Sequence, residues 1–117
     1  MVAISRRRVL LIRNPAHKKE EDMAAYLIAQ IRITDPERYE SYKEAVPEVV
    51  RRYGGRYLIR GGEVEVLEGR HDGRRLVVFE FPQMEDIRAF FASDEHQEVR
   101  SLREGAAVVD AWAVPRV

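Results

Sequence analysis

The chain has 117 residues and a mass of 13.6 kDa, no cysteine, and twenty basic side chains against twenty acidic ones. That length supports one core, burying roughly two thirds of the unfolded surface, and is short for two domains. The absence of cysteine excludes a disulfide framework, a thiol nucleophile and a thiolate metal site, and a neutral balance lacks the basic excess of a dedicated nucleic-acid binder.

The neutral total is uneven along the chain. Residues 1–22 hold six basic and three acidic side chains, so this segment is +3 and the remainder −3. We expect it to be an N-terminal extension, with Met23 an alternative start and the domain proper at 23–117. Its apolar run Val9-Leu10-Leu11-Ile12 stops at Arg13, short of the roughly seven to fifteen residues of a signal peptide. That run is read alternatively as a short added edge strand, and the segment as a basic arm for nucleic acid or an acidic partner. No stretch approaches the roughly twenty apolar residues of a membrane span. The expected location is the cytoplasm, with neither membrane nor nucleic acid as partner.

Residues 24–33 alternate, with Leu27, Ala29, Ile31 and Ile33 on one face and Tyr26, Ile28, Gln30 and Arg32 on the other. This predicts a strand covered on its first face and lining something less apolar on its second. Asp35 and Pro36 are an N-cap and first-turn pair, and Tyr39, Tyr42, Val46, either Val49 or Val50, and Tyr53 follow at helical spacing. Pro47 removes one helical hydrogen bond and should kink or divide that helix, which Gly54-Gly55 ends. A second strand is expected at 56–60, interrupted at Gly61-Gly62 by a bulge or bend and resuming over 63–68. Asp72-Gly73 is a hairpin turn signal, and Arg75 to Phe81 is the most β-prone stretch of the chain. Pro82 stops it and opens a helix carrying Met84, Ile87 and Phe90/Phe91. Ser93 caps a further short helix ending near Gly105, and 107–114 form the last strand.

The order β-α-β-β-α-β predicts an α+β, ferredoxin-like protomer with a four-stranded antiparallel sheet and its helices on one face. The other face, with Tyr26, Ile28, Leu76 and Val78, is too apolar to leave in water, so a second copy is expected to cover it.

Several blocks in this order carry a family resemblance. They are Asp35 with Tyr39 and Tyr42, then YGGRYLIRGG (53–62), Leu67-Glu68-Gly69, VVFEFP (77–82) and RSLREGAA (100–107). From about Met23 to the end the chain resembles the domain of unknown function 1330 family of the dimeric α+β barrel superfamily. The resemblance implies a protomer whose sheet packs against a second copy to form a barrel with an internal cavity, and it implies no particular reaction. Two positions depart from the family pattern. Phe90-Phe91 stand where a Trp-Tyr pair is usual, and Glu95-His96 where Glu-Tyr is usual, so the aromatic hydroxyls of those places are missing.

Among chemistry-bearing residues, Glu80 stands out because it lies in a strong strand on the face opposite Phe79 and Phe81. A carboxylate there points into a cavity or meets a cation, since an unpaired buried charge is costly. Arg60, ending a strand beside two glycines, is the expected partner. The pair is read either as a structural salt bridge or as a catalytic couple, Glu80 the base and Arg60 stabilising developing negative charge. Tyr26, Gln30 and Arg32 share the cavity-side face of strand one and are candidates to orient a small anionic or carbonyl-bearing molecule, with Arg32 alternatively in solvent. Tyr42, like Tyr39, is read as core with a satisfied hydroxyl or as part of the site. His96 is a surface or capping residue or, as in related barrels, a haem or proton-transfer residue. Arg103 matches an Arg of the family blocks and either fixes its helix or binds an acid. Three dispersed histidines lack ligand spacing, so no metal is expected. No resident cofactor is expected either.

These features point to a homodimer that binds a small organic molecule, either non-enzymatically or as a cofactor-free enzyme acting on a small carbonyl or phenolic compound by proton transfer or oxygenation. The alternatives are a non-catalytic, stress-related dimerisation module and a haem-handling barrel.

Overall fold

The computed structural model describes residues 24–117, so the expected extension, its edge strand and the alternative start at Met23 lie outside the described residues. Strand β1 (Ala25–Ile33) is followed by helix α1 (Pro36–Arg52), β2 (Arg56–Gly62), β3 (Arg75–Phe81), α2 (Met84–Ala92), α3 (Asp94–Ser101) and β4 (Ala107–Pro115). The strands form one antiparallel sheet in the order β2-β3-β1-β4, the ferredoxin-like arrangement expected from the element order.

The alternation along β1 decides which face is covered. Ala25, Leu27, Ala29 and Ile31 are buried, and their partners Val77, Phe79 and Phe81 on β3 are buried with them. Tyr39, Val46, Val49 and Val50 of α1 and Ile87 and Phe90 of α2 complete this single core. Phe90 lies at its centre, with ring centroids 5.6 Å from Phe81 and 4.3 Å from His96.

Local chemistry sets the corners. The Asp35 carboxylate accepts from the Arg38 amide at 3.2 Å, capping α1 as its position predicts. The helix runs unbroken through Pro47 to Arg52, because buried Val46, Val49 and Val50 hold its second half to the sheet despite the lost hydrogen bond. It stops in a Schellman motif. Gly54, at φ +86°, donates to the Arg51 carbonyl at 3.0 Å and Gly55 to the Val50 carbonyl at 2.9 Å. At the far end, the Ala106 carbonyl accepts from both Thr34 and Asp35, tying the start of β4 to the β1–α1 corner.

The second strand departs from expectation. Residues 63–68 are not a strand, because the β2–β3 ladder ends at Gly62 opposite Leu76 and leaves them no partner. They open instead into a loop with Leu67 exposed that runs on to Arg74, so Asp72-Gly73 does not join two strands as the expected tight hairpin turn; Gly73, at φ +86°, donates its amide to His71 Nδ1. Within β2 the register shifts twice, between Tyr57 and Ile59 and again between Arg60 and Gly62.

The face of the sheet turned away from the helices has ordered rows. Arg56, Glu80, Tyr26 and Val114 lie side by side across the four strands. The next row, Ile59, Val78, Ile28 and Trp112, is entirely apolar, and Gly62, Leu76, Gln30 and Asp110 follow it. Trp112 is 49% exposed.

Candidate functional site

The sheet separates the sequence-predicted residues into two groups. Tyr26, Gln30 and Glu80 share the uncovered face, and Glu80 does find a guanidinium, but it is that of Arg56. The Arg56 Nε and Nη2 both reach Glu80 Oε1, at 2.9 and 2.7 Å, in direct cross-strand register. Arg60 lies opposite Val77 on the other face, so the expected Glu80–Arg60 pair does not form within a protomer. The cause is the extra residue at Leu58. Simple alternation from Arg56 would put Arg60 on the face of Glu80, and one bulged residue reverses it. With the Arg56 side chain 71% exposed, the observed pair is a surface bridge that contributes at most about 1 kcal/mol.

Arg60 instead lines a cavity of about 190 Å³ between α1 and the covered face of the sheet. Tyr39, Glu40, Tyr42, Lys43 and Val46 face it from α1, Ile31 and Ile33 from β1, Tyr57, Arg60 and Gly61 from β2, and Arg75, Val77 and Phe79 from β3. The guanidinium of Arg60 stacks on the Tyr57 ring at 4.4 Å, and that ring packs on Phe79 at 4.6 Å. Tyr39 and Tyr42 stand 5.2 Å apart at the spacing of one helical turn. Desolvation pushes the phenols of Tyr39 and Tyr57 up to about 12, so both remain protonated donors at neutral pH.

The other candidates fall around this cavity or away from it. Arg103 backs it without lining it, its guanidinium 5.1 Å from the Tyr42 centroid and its buried Nε without a partner among the described residues. Arg32 is exposed and lines a neighbouring recess with Arg74 and Arg75. Arg74 is engaged by Asp72 and Asp110, bridging the β2–β3 loop to β4. His96 is neither a surface residue nor an open ligand. It is 2% exposed, with its ring 4.3 Å from Phe90 and 4.6 Å from Phe91, so no free face remains for a haem. Burial pushes it down to about 4, opposed by a hydrogen bond to the Phe91 backbone and reinforced by the charges of Arg100 and Arg103. Its neighbour Glu95 joins helices rather than serving a site, accepting from the Tyr53 hydroxyl at 2.9 Å and from Arg52.

Sequence reasoning missed Tyr57, Lys43 and Arg75 as site residues. Tyr57 and Arg75 were legible as neighbours of Arg60 only once the bulge fixed the phase of β2. Among the described residues, no three of the His, Asp and Glu side chains gather as a metal site, and no helix is long and apolar enough to cross a membrane.

Fold and cavity together define a ferredoxin-like α+β protomer with a pocket between its first helix and its sheet. The chain belongs to the DUF1330 family, a domain of unknown function, whose model matches residues 24–117. No curated protein matches the sequence. Among solved structures it is similar to a protein of unknown function from Rhodopseudomonas palustris, with TM-score 0.66 and 16% identity over 86% of this chain and 88% of that one. It is also similar to SnoaB, a cofactor-independent oxygenase from Streptomyces nogalater, with TM-score 0.59 and 10% identity over 81% and 94% of the two chains. A conserved protein from Methanosarcina mazei aligns at TM-score 0.55 and 13% identity, covering 86% and 99%. At these identities the likeness is one of fold.

Proposed function

We propose that the protein binds a small organic molecule in the pocket between α1 and the sheet. The observation that supports this is a cavity of about 190 Å³ walled by Tyr39, Tyr42 and Tyr57, with Arg60 at its edge making no ion pair among the described residues. A few convergent polar groups on a mostly apolar concave wall are the usual composition of a ligand site. The shared fold with a cofactor-independent oxygenase makes proton transfer or oxygenation of a bound carbonyl or phenolic compound the chemistry to test first. Any such reaction within one protomer would draw on the phenols and Arg60, since Glu80 stands on the opposite face. In a thermal-shift screen of small carbonyl compounds, phenols and acids, stabilising hits should lose about tenfold in affinity in Arg60→Ala, the scale of one charged hydrogen bond. Hits that bind Arg60→Ala and Tyr57→Ala as well as the wild type would place the site elsewhere.

The same reading makes the protein a homodimer that closes a barrel. The apolar row Ile59, Val78, Ile28 and Trp112, flanked by exposed Val108 and Val114, is a surface that water solvates poorly and an identical surface covers well. Light scattering should give about twice the 13.6 kDa chain mass. Trp112→Glu should return it to one, because two carboxylates brought into an apolar interface cannot both keep their water. A wild-type chain that runs as a monomer at high concentration refutes the dimer.

A further inference from the structure

We propose that the ligand of this pocket is a planar organic anion about the size of one substituted ring, an aromatic or conjugated carboxylate. This rests on the reading of the pocket as a ligand site and names the chemistry that would fill it.

The charge arrangement carries the inference. Arg60 lies opposite Val77 on β2, and Arg75 lies two residues before Val77 on the same face of β3, so the two arginines are diagonal neighbours across adjacent strands. Like charges in that relation repel. The space over Gly61 is taken by Arg75, whose Nη1 lies 3.3 Å from where a Cβ on that glycine would stand. Lys43 adds a third cation from α1, and Glu40 is the one carboxylate on the pocket wall. Among the described residues none of the three cations makes an ion pair. What sets these three apart is that they converge on one concave wall with a single carboxylate, Glu40, beside them.

The geometry selects the shape of the anion. Stacking on Tyr57 occupies one flat side of the Arg60 guanidinium and leaves its N–H edge, a planar fork that suits the two oxygens of a carboxylate. Behind it the wall is aromatic and aliphatic, from Tyr39, Tyr57, Phe79 and Val77, which favours a flat apolar body over a bare inorganic ion. The phenols of buried Tyr39 and half-buried Tyr57 remain neutral donors and add no competing negative charge. A volume of about 190 Å³ accommodates one ring and its acid group.

The test compares benzoate, its neutral isostere benzamide, cyclohexanecarboxylate and inorganic phosphate by amide-shift titration of the full chain. Benzoate should move the amides of Lys43, Tyr57, Arg60 and Gly61 and bind about tenfold tighter than benzamide, as a charged hydrogen bond implies. That advantage should vanish in Arg60→Gln and shrink in Arg75→Gln, two exposed sites where the fold is checked by the unchanged remainder of the spectrum. Equal binding of benzamide and benzoate at these amides overturns the anion while leaving the pocket. Phosphate or cyclohexanecarboxylate matching benzoate overturns the planar body. If none of the four probes, nor any hit of the wider screen, shifts these amides, the pocket itself is wrong.

Discussion

Gly55→Ala is expected to destabilise the protein by about 3 kcal/mol, at the upper end of overpacking effects. Gly55 is buried where the end of α1 passes over β3, and a Cβ there would stand 2.6 and 2.7 Å from two ring carbons of Phe81 and 2.8 Å from Val50 Cγ1. Neither neighbour can give way. Phe81 and Val50 are each 1% exposed, and the Phe81 ring is braced by Phe90 at 5.6 Å. Urea titration should show a lower midpoint with an unchanged slope, because the defect lies in the folded state. Gly62→Ala is the control, since nothing lies within 4 Å of its Cβ, and its cost should stay within about 0.5 kcal/mol. Equal losses in the two variants would mean that close packing against Phe81 and Val50 does not set the cost at Gly55.

Acid should find a second weak point at His96. The folded value of about 4 lies below the ordinary 6.5, so the unfolded chain takes up a proton that the folded chain refuses. The stability associated with neutral His96 is fully present above pH 6.5 and is lost as the pH falls through the window down to about 4. The loss totals up to about 3 kcal/mol, of which about 2 falls between pH 6.5 and about pH 5. That upper part of the window isolates the histidine, because Asp72 and Glu95, both held below the ordinary carboxylate range, release their contributions at lower pH. The groups facing the ring are Arg100 and Arg103, which stay charged throughout. In His96→Phe the slope over this window should disappear whatever the variant's absolute stability. An identical slope in both proteins would assign the acid sensitivity to other groups.

The element order, the covered face of β1, the cap at Asp35 and the stop at Gly54-Gly55 were all legible in the sequence, because each is a local signal repeated by its neighbours. What failed had a non-local cause. Val64, Val66 and Leu67 have the composition of a strand, and only the length of β3 reveals that they have no partner. The face of Glu80 is legible, since β3 keeps strict alternation, whereas that of Arg60 is not. Its phase depends on a residue inserted between Tyr57 and Ile59, and the Gly61-Gly62 signal pointed to an irregularity just after Arg60 and not before it. A short, polar helix makes His96 look peripheral, yet the closeness of Phe90 and Phe91 makes it one of the four largest fully buried side chains. The pocket itself was illegible for a simpler reason. Its walls come from four separate elements, and nothing in the spacing of Tyr39, Tyr57 and Arg75 announces that they meet.

The bulge at Leu58 also bears on how relatives of this chain should be aligned. A homologue that lacks the equivalent of Leu58 would keep Arg60 opposite Val77 on the pocket side, because the bulged residue is the one position outside the alternation, whereas a homologue that keeps the residue but pairs it regularly would turn its equivalent of Arg60 to the outer face, opposite Leu76. Two chains of equal length in this block can then differ in whether that cation lines the pocket or the outer face of the sheet. At this point in the family a gap is conservative, and a substitution that straightens the bulge is the change that moves a charge from one face of the sheet to the other.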